Sequence, residues 1–488
     1  MNASALVYQI DVGAVPVLGA REWRDDLLMQ RQLGSRALTL YGRREAERVM
    51  ITAVLQLPDG SIRVQRMSTT VDVGYQELTT QWPAMHCFER ELHEQTGVRV
   101  AGHPWLKPIR FEGQEQSAMN SYPFYQLEGK EVHEVAVGPI HAGVIEPGSF
   151  RFLCLGEQVH HLEIHLGYQH RGVERLLHQG DPRRLAPLVE TIAGDTSIAH
   201  SWAYCAALES LAGCELDPEV EVARAMALEL ERVAMHLAGL SGLAADIGFL
   251  QGASTYGRLR TTAINTTLRL CGSRFGRGAV HPGGIGMRLD EELAALVRAN
   301  LALLRDDLEI INEHFLSSWT VRHRLRGVGV LAESRARELG LVGMAARASG
   351  VPMDARASRG AYGLLPMRRV SMNGGDCWAR ARLRIEEMDA SLTWMSGMLA
   401  LYPSWERSRQ AIGRLLPAQL VIALVEGWRG EVIHCLETDA LGGILHYKVQ
   451  DPSLRNWMGL AIAVRQNEIS DFPICNKSFD LSYCGNDL

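Results

Sequence analysis

Gly138-Pro139-Ile140-His141-Ala142-Gly143-Val144-Ile145-Glu146-Pro147-Gly148-Ser149-Phe150-Arg151-Phe152 opens the part of the chain that decides its reading. His165-Leu166-Gly167-Tyr168-Gln169-His170-Arg171-Gly172-Val173-Glu174 follows, then Glu190-Thr191-Ile192-Ala193-Gly194-Asp195-Thr196-Ser197-Ile198-Ala199-His200-Ser201. Glycines, histidines and carboxylates crowd here. Glu146-Pro147-Gly148 reads as a turn that starts a strand. Phe150, Phe152 and Cys154 take one face of that strand and Arg151, Leu153 and Leu155 the other. Gly156-Glu157 turns the chain into a second strand, 158–163, so a hairpin is expected. Residues 185–211 read as one or two helices carrying Ala193, His200 and Glu209. By composition alone this is a hairpin packed on core helices.

The chain has 488 residues, enough for two or three domains with real cores. Its net charge of −6 gives no reason to expect nucleic acid as a partner. No apolar run reaches the roughly 18 residues that a membrane-spanning helix needs. Met1-Asn2-Ala3-Ser4-Ala5 lacks the charged and apolar regions of a leader, so none is expected. Nine scattered cysteines, with no close pair, argue against a disulfide framework or a local zinc or iron–sulfur site and suit a reducing compartment.

Residues 1–112 read as a small α+β domain. Strands at 48–55 and 62–66 flank the turn Pro58-Asp59-Gly60-Ser61. Pro83 suits a first helical turn, and Met85, Phe88 and Leu92 make a helical stripe. Residues 113–136 are polar and linker-like. The remainder, 137–488, reads as mainly helical. Asp217-Pro218 looks like a helix start with Asp as cap, and Met226, Leu230, Val233, Leu237 and Leu240 form a buried seam. Similar seams at 293–308 and 388–399 predict a helix bundle. Gly272 to Gly284 is glycine-rich. Without a strand before and a helix after, it reads as a turn feeding a hairpin, with an anion-binding nest as the alternative.

The order of these motifs resembles the large subunit of group 4, energy-converting (formate-hydrogenlyase-type) nickel–iron hydrogenases and the related 49-kDa-type quinone-site subunit of respiratory complex I. The hydrogenase pattern Tyr-x-His-Arg-Gly-x-Glu is met at Tyr168 to Glu174. Glu-Arg-x-Cys-Gly-x-Cys-Ser-x-x-His-Ser is met in frame from Glu190 to Ser201, fixed at both ends. Trp82, Glu89-Arg90-Glu91, Gly97 and Gly102-His103-Pro104 resemble the 30-kDa-type subunit of complex I, with Trp105 in place of an aspartate. In formate-hydrogenlyase-type enzymes the two are fused in this order. The resemblance implies an α+β fold: a small N-terminal α+β domain, then a hydrogenase-like large domain built as a long helix bundle with peripheral β-hairpins.

In that frame Ala193 and Thr196 stand where two metal-ligating cysteines belong. Aligning the C-terminal Ser-x-Asp-Pro-Cys-x-x-Cys pattern on Ser478 and Asp480 puts Ser482 and Gly485 at the other two, with Cys484 one residue out of place. A nickel–iron centre needs soft thiolate ligands, so no metal and no cofactor is expected in this chain. The quinone-binding tyrosine of complex I has no counterpart either, Gly194 standing there. The carboxylates and histidines remain, and Glu146, His141, Asp195 and His200 are the candidate site residues. Glu146 matches a proton-relaying glutamate of the hydrogenases.

The resemblance implies a peripheral subunit on the cytoplasmic side of the inner membrane. Its partners would be an iron–sulfur small subunit of the complex I 20-kDa type, a ferredoxin-like iron–sulfur subunit and complex I-like membrane subunits. Iron–sulfur clusters would sit in those partners. The role expected is coupling of electron transfer to ion translocation. Reduction of a quinone or another small molecule is a second reading, and a scaffold without redox chemistry is a third.

Overall fold

The computed structural model describes residues 6–113, 116–127, 129, 131–143, 145–356 and 360–488. The expectations at residues 1–5, and at Gln114, Glu115 and Val144, lie outside the described residues.

The N-terminal strands Arg36–Glu45, Arg48–Gln56 and Ile62–Thr70 form an antiparallel sheet, with Val17–Leu18 added parallel at one edge. One face is covered by the helices Ala20–Gln32 and His86–Thr96 through Trp23, Leu27, Ile51, Met67, Phe88 and Leu92. Gly42 permits the close approach, because a Cβ there would stand 2.4 Å from Leu92 Cδ1. Pro83 begins a short 3₁₀ turn rather than the helix itself, which starts at His86.

The other face packs on a second sheet made by the far end of the chain. Leu38, Tyr41 and Val54 meet Leu420, Ile422 and Ile433. That sheet runs Leu6–Asp11, Gln419–Glu426, Glu431–Thr438, Ile444–Gln450, all antiparallel. The first described strand therefore belongs to the sheet of the C-terminal part, outside the unit expected at 1–112. Buried ion pairs sew the two sheets together, Arg36 to Glu431 at 2.5 Å and Arg66 to Glu437 at 2.6 Å.

These C-terminal strands lie inside the molecule rather than at its periphery, and sequence reasoning assigned no strand there. Leu420-Val421-Ile422-Ala423-Leu424-Val425 is an unbroken apolar run, which periodicity cannot tell from a buried helix. It is buried on both faces, between the N-terminal sheet and the helix Ser197–Leu211. That helix is itself buried along nearly its whole length, which explains why it lacks a polar face.

Among the described residues, four long helices complete the core: Pro218–Asp246, Leu250–Cys271, Glu291–Ser317 and Cys377–Leu401. Asp217 occupies the cap position of the first but makes no side-chain capping bond, so Pro218 carries that start. The hairpin Ser149–Leu155 with Gln158–His165 forms as the sequence predicts, and Val132–Val137 joins it as a third strand. The glycine-rich loop is the expected turn, feeding a short hairpin of Val280–His281 with Gly284–Ile285.

Candidate functional site

The motif segments converge because their polar groups hold the C-terminal tail. The helix Phe472–Phe479 ends at Asp480, which adopts a left-handed conformation, and Ser482 then caps the last turn, its Oγ accepting from Gly485 N at 2.9 Å. The Asp487 carboxylate accepts from Gly167 N at 2.8 Å and Gln169 N at 2.9 Å, and the His170 ring meets Asp487 O at 2.7 Å. Arg171 bridges both segments: Nη2 donates to Ile192 O at 3.1 Å and to Cys484 O at 3.3 Å. The glycine loop does bind anions, but the chain's own. Gly278 N donates to Glu190 at 2.6 Å and Gly283 N to Glu209 at 2.8 Å.

At the centre lies an ion pair that sequence reasoning missed. Arg429, on the turn between two strands of the interior sheet, holds Asp195 with Nη1 at 2.6 Å and Nη2 at 2.7 Å from its two oxygens. The same guanidinium donates through Nη1 to Thr196 Oγ1 at 3.2 Å and through Nε to Asp480 O at 2.5 Å, and lies 3.9 Å over the Trp428 ring. Trp428 Nε1 in turn donates to Asp195 O at 3.0 Å. Burial pushes the Asp195 carboxyl up, but Arg429 overcomes it and holds the group below its ordinary value.

Behind this pair runs a buried chain of four side chains. His200 Nε2 is 3.1 Å from Asp451 Oδ2, His200 Nδ1 is 3.1 Å from His434 Nε2, and His434 Nδ1 is 2.6 Å from Tyr447 OH. One proton arrangement satisfies every link: Tyr447 donates to His434, His434 to His200, and His200 to an ionised Asp451. Burial opposes the Asp451 charge, yet the His200 hydrogen bond keeps its pKa below the usual value. Burial, with His200 beside it, keeps His434 neutral, and burial keeps the Tyr447 hydroxyl protonated. Of this chain only His200 was among the residues singled out from sequence.

Glu146 reaches the site from its outer edge. Its Oε2 accepts from Tyr483 N at 3.3 Å, and its carboxylate also neighbours the Cys484 thiol. Burial, reinforced by Glu146, pushes Cys484 up to about 12, so the thiol is neutral. Its sulfur is 3.3 Å from Ser482 Oγ. His141 does not join the others. Its Nε2 folds back onto Gly148 O at 2.9 Å and braces the turn that aims Glu146. The structure thus gathers Glu146, Asp195 and His200 around the two motif segments and gives His141 a bracing contact.

A small cavity of about 10 Å³ adjoins Asp195, lined also by Ile198, Glu231, Met235, Thr267 and Arg274. That is room for about one water molecule. Glu231 accepts from Ile198 N at 2.8 Å, and burial pushes its carboxyl up to about 8, so it is protonated at neutral pH. In sequence it is one more residue of a helical seam, and nothing marks it.

The four positions that the resemblance assigns to metal ligands do come together, but they do not fit a nickel–iron centre. Ala193, Thr196, Ser482 and Gly485 offer no thiolate. Arg429 bonds Thr196, Ser482 is used as a helix cap, and a Cβ at Gly485 would stand 2.6 Å from Asp451 Oδ2. Side chains of the protein fill the space. Among the described residues no group of three or more His, Cys, Asp or Glu is placed to hold a metal ion.

Comparison with known proteins agrees with this architecture. Residues 246–411 match the respiratory-chain NADH dehydrogenase 49 Kd subunit family, and residues 27–124 match the 30 Kd subunit family. Formate hydrogenlyase subunit 5 of Escherichia coli (strain K12) is 28% identical over 85% of this chain and 77% of its own length. The carbon monoxide-induced hydrogenase of Rhodospirillum rubrum is 30% identical over 71% of this chain and 97% of its own. The chain belongs to the group 4 hydrogenase and complex I large-subunit family. A subunit in the structure of the membrane-bound sulfane sulfur reductase, an archaeal respiratory membrane complex, shares the fold of this family member. Its TM-score is 0.69 at 23% identity, covering 75% of this chain and 100% of that one. The α+β class and the fused 30-kDa-type segment are thus established. Among the described residues no helix is long and apolar enough to cross a membrane.

Proposed function

We propose that this chain is the large subunit of a membrane-associated, respiratory-type complex. It couples electron arrival at a partner's iron–sulfur cluster to proton movement, without a nickel–iron centre of its own. The observation that carries this reading is the buried chain Tyr447–His434–His200–Asp451, which ends against Gly485 in the former ligand segment. Each link can give a proton to the next and take one back. An aliphatic core of the same volume would do neither. Arg429–Asp195 supplies a fixed charge pair beside it, and Glu146 supplies an acid at the outer edge, bonded to the tail. Electron arrival adds negative charge next to these groups, which favours proton uptake by the carboxylates and imidazoles among them.

The partner would be an iron–sulfur subunit of the complex I 20-kDa type. Support comes from the Gly138–Gly148 loop, which presents Ile140, 87% exposed, and Ile145 beside Glu146. Membrane subunits of the complex I kind, with a ferredoxin-like subunit as donor, would complete an assembly on the cytoplasmic face. In this chain alone the cavity beside Asp195 admits a water and not a quinone ring, which favours coupling over reduction of a bulky acceptor.

His200→Asn tests the reading in the purified complex reconstituted in vesicles. The expected result is unchanged assembly and unchanged cluster reduction, with proton movement lowered by about two orders of magnitude, the usual scale for a lost proton-transfer group. Unchanged proton movement in an assembled complex favours a scaffold instead.

A further inference from the structure

Away from the site, two cysteines from distant parts of the chain meet. Cys377 is the first residue of the helix Cys377–Leu401, and Cys475 lies within the helix Phe472–Phe479. Both are fully buried, and their sulfurs are 4.0 Å apart. Over them lies Arg380, also fully buried. Its Nη2 is 3.4 Å from Cys377 Sγ, its Nε donates to Ser478 Oγ at 2.8 Å, and the remaining donors go to Gly375 O and Gly329 O. Among the described residues no carboxylate pairs with Arg380. A buried guanidinium without a counter-ion is costly, and the sulfur of Cys377 is the group placed to carry the balancing charge. Burial alone would raise that thiol, but the hydrogen bond from Cys475 and the Arg380 charge bring it down to about 6, while Cys475 is pushed up and stays protonated. One member is thus a thiolate and the other a thiol, the pairing that thiol–disulfide chemistry uses.

A glycine packs directly against the pair. A Cβ on Gly329 would stand 2.7 Å from Cys475 Sγ and 3.4 Å from Cys377 Sγ. Gly329 has φ +62°, and its neighbours Gly327 and Val330 are exposed. The loop that carries Gly329, exposed on either side of it, therefore packs directly on both sulfurs.

We propose that Cys377 and Cys475 form a redox-active dithiol, converted to a disulfide by a peroxide. The Cys377 thiolate attacks one oxygen of hydrogen peroxide, the O–O bond breaks, and hydroxide leaves to be protonated by solvent. The Cys475 thiol then attacks the resulting sulfenic sulfur, the S–S bond forms, and the second oxygen leaves as water. The cysteines lose two electrons and the peroxide becomes two waters. Closing the bond moves the sulfurs about 2 Å nearer than they stand and removes the anion that faces Arg380. Arg380 also holds Ser478, and Asp480 next along accepts from Arg429. Oxidation is thereby transmitted along the tail to the Asp195–Arg429 pair.

The test treats the intact complex with hydrogen peroxide, removes the peroxide, unfolds the protein in excess iodoacetamide to block every remaining thiol and identifies cysteine peptides by mass spectrometry. The expected product is a Cys377–Cys475 cross-linked peptide that dithiothreitol releases, with the other cysteines still alkylated as thiols. In Cys475→Ser the reaction stops at a sulfenic acid on Cys377, trapped by dimedone. In Arg380→Gln oxidation slows by about tenfold or more, as the thiolate fraction at neutral pH falls. Full alkylation of both cysteines after treatment, or a cross-link that appears only once the protein is denatured, overturns the proposal.

Discussion

Among the clusters of buried charge in the described residues, the one in the helix core and the one at the candidate site differ in closure. In the helix core, Arg347 pairs with Glu387 at 2.7 Å and Glu426 at 2.6 Å, Glu387 meets His236 at 2.8 Å, and Glu229 takes Arg232, Arg356, Tyr362 and Ser391. Each carboxylate there meets at least one cation, although Arg347 Nη2 is left without a hydrogen-bond partner. At the candidate site the same kinds of pair have an open edge. The side chain of Asp195 is 36% exposed, a water-sized cavity adjoins it, Glu231 stays protonated, and Glu146 faces a neutral thiol. A buried ion pair is therefore not in itself a sign of function. What marks the site is charge that keeps an open edge beside a water-sized cavity.

The comparison predicts a graded set of effects. Arg347→Met leaves two buried carboxylates without their cation, and about 3–5 kcal/mol of stability should be lost, read by denaturant unfolding. The exposed pair Arg258–Asp307, 2.7 Å apart, should cost no more than about 1 kcal/mol when broken. A loss that small at Arg347 would remove the distinction between sealed and open clusters. Glu146→Gln should assemble normally and lower coupled activity by roughly one to a few orders of magnitude, with Glu146→Asp milder. Normal activity in the amide variant would reduce Glu146 to a turn residue, and failed assembly would make it a structural one.

Glu231 sharpens the contrast through pH. Its folded pKa, about 8, lies above the ordinary carboxyl value because of burial. The folded state therefore binds more protons than the unfolded one between those two values. Its stabilising contribution is complete below the ordinary carboxyl range and is lost as pH rises through about 8. Stability should fall with pH in that window, by up to about 1.4 kcal/mol per pH unit, and Glu231→Gln should flatten the slope. An unchanged slope in the variant would mean that Glu231 is ionised in the fold. The smallest effect expected is on metal content: Ala193→Cys combined with Thr196→Cys should bind no nickel, because Ser482 and Gly485 still lack thiolates and Asp451 crowds the latter. Nickel bound by that double variant would show that half the ligand set suffices.

Much of this was legible in the chain. The helical seams at Met226 to Leu240 and Met388 to Leu399 lie on the long helices Pro218–Asp246 and Cys377–Leu401, and the turn at Glu146-Pro147-Gly148 precedes the hairpin it predicts. The frame from Glu190 to Ser201, fixed by local spacing, marked Asp195 and His200, which the structure places together at the candidate site. Arg429, His434, Tyr447 and Asp451 were not legible as site residues. Arg429, His434 and Asp451 stand more than 230 residues from their partners Asp195 and His200, no local period links positions so far apart, and Tyr447 joins only through His434. Glu231 was hidden because a buried acid on a helical seam looks, in sequence, like any polar interruption of a core stripe. His141 shows the converse. A motif histidine invited a role in the cavity, and the fold uses it to brace a turn.

The proposal at stake is that this chain holds ionisable side chains, and no nickel–iron centre, where the resemblance places metal ligands. Nickel and iron analysis of the purified complex, with hydrogen uptake measured on the same preparation, tests it most directly. The account predicts iron only in amounts that partner iron–sulfur clusters explain, no stoichiometric nickel and no hydrogen uptake. One nickel per chain with hydrogen uptake that Arg429→Gln leaves intact would contradict it.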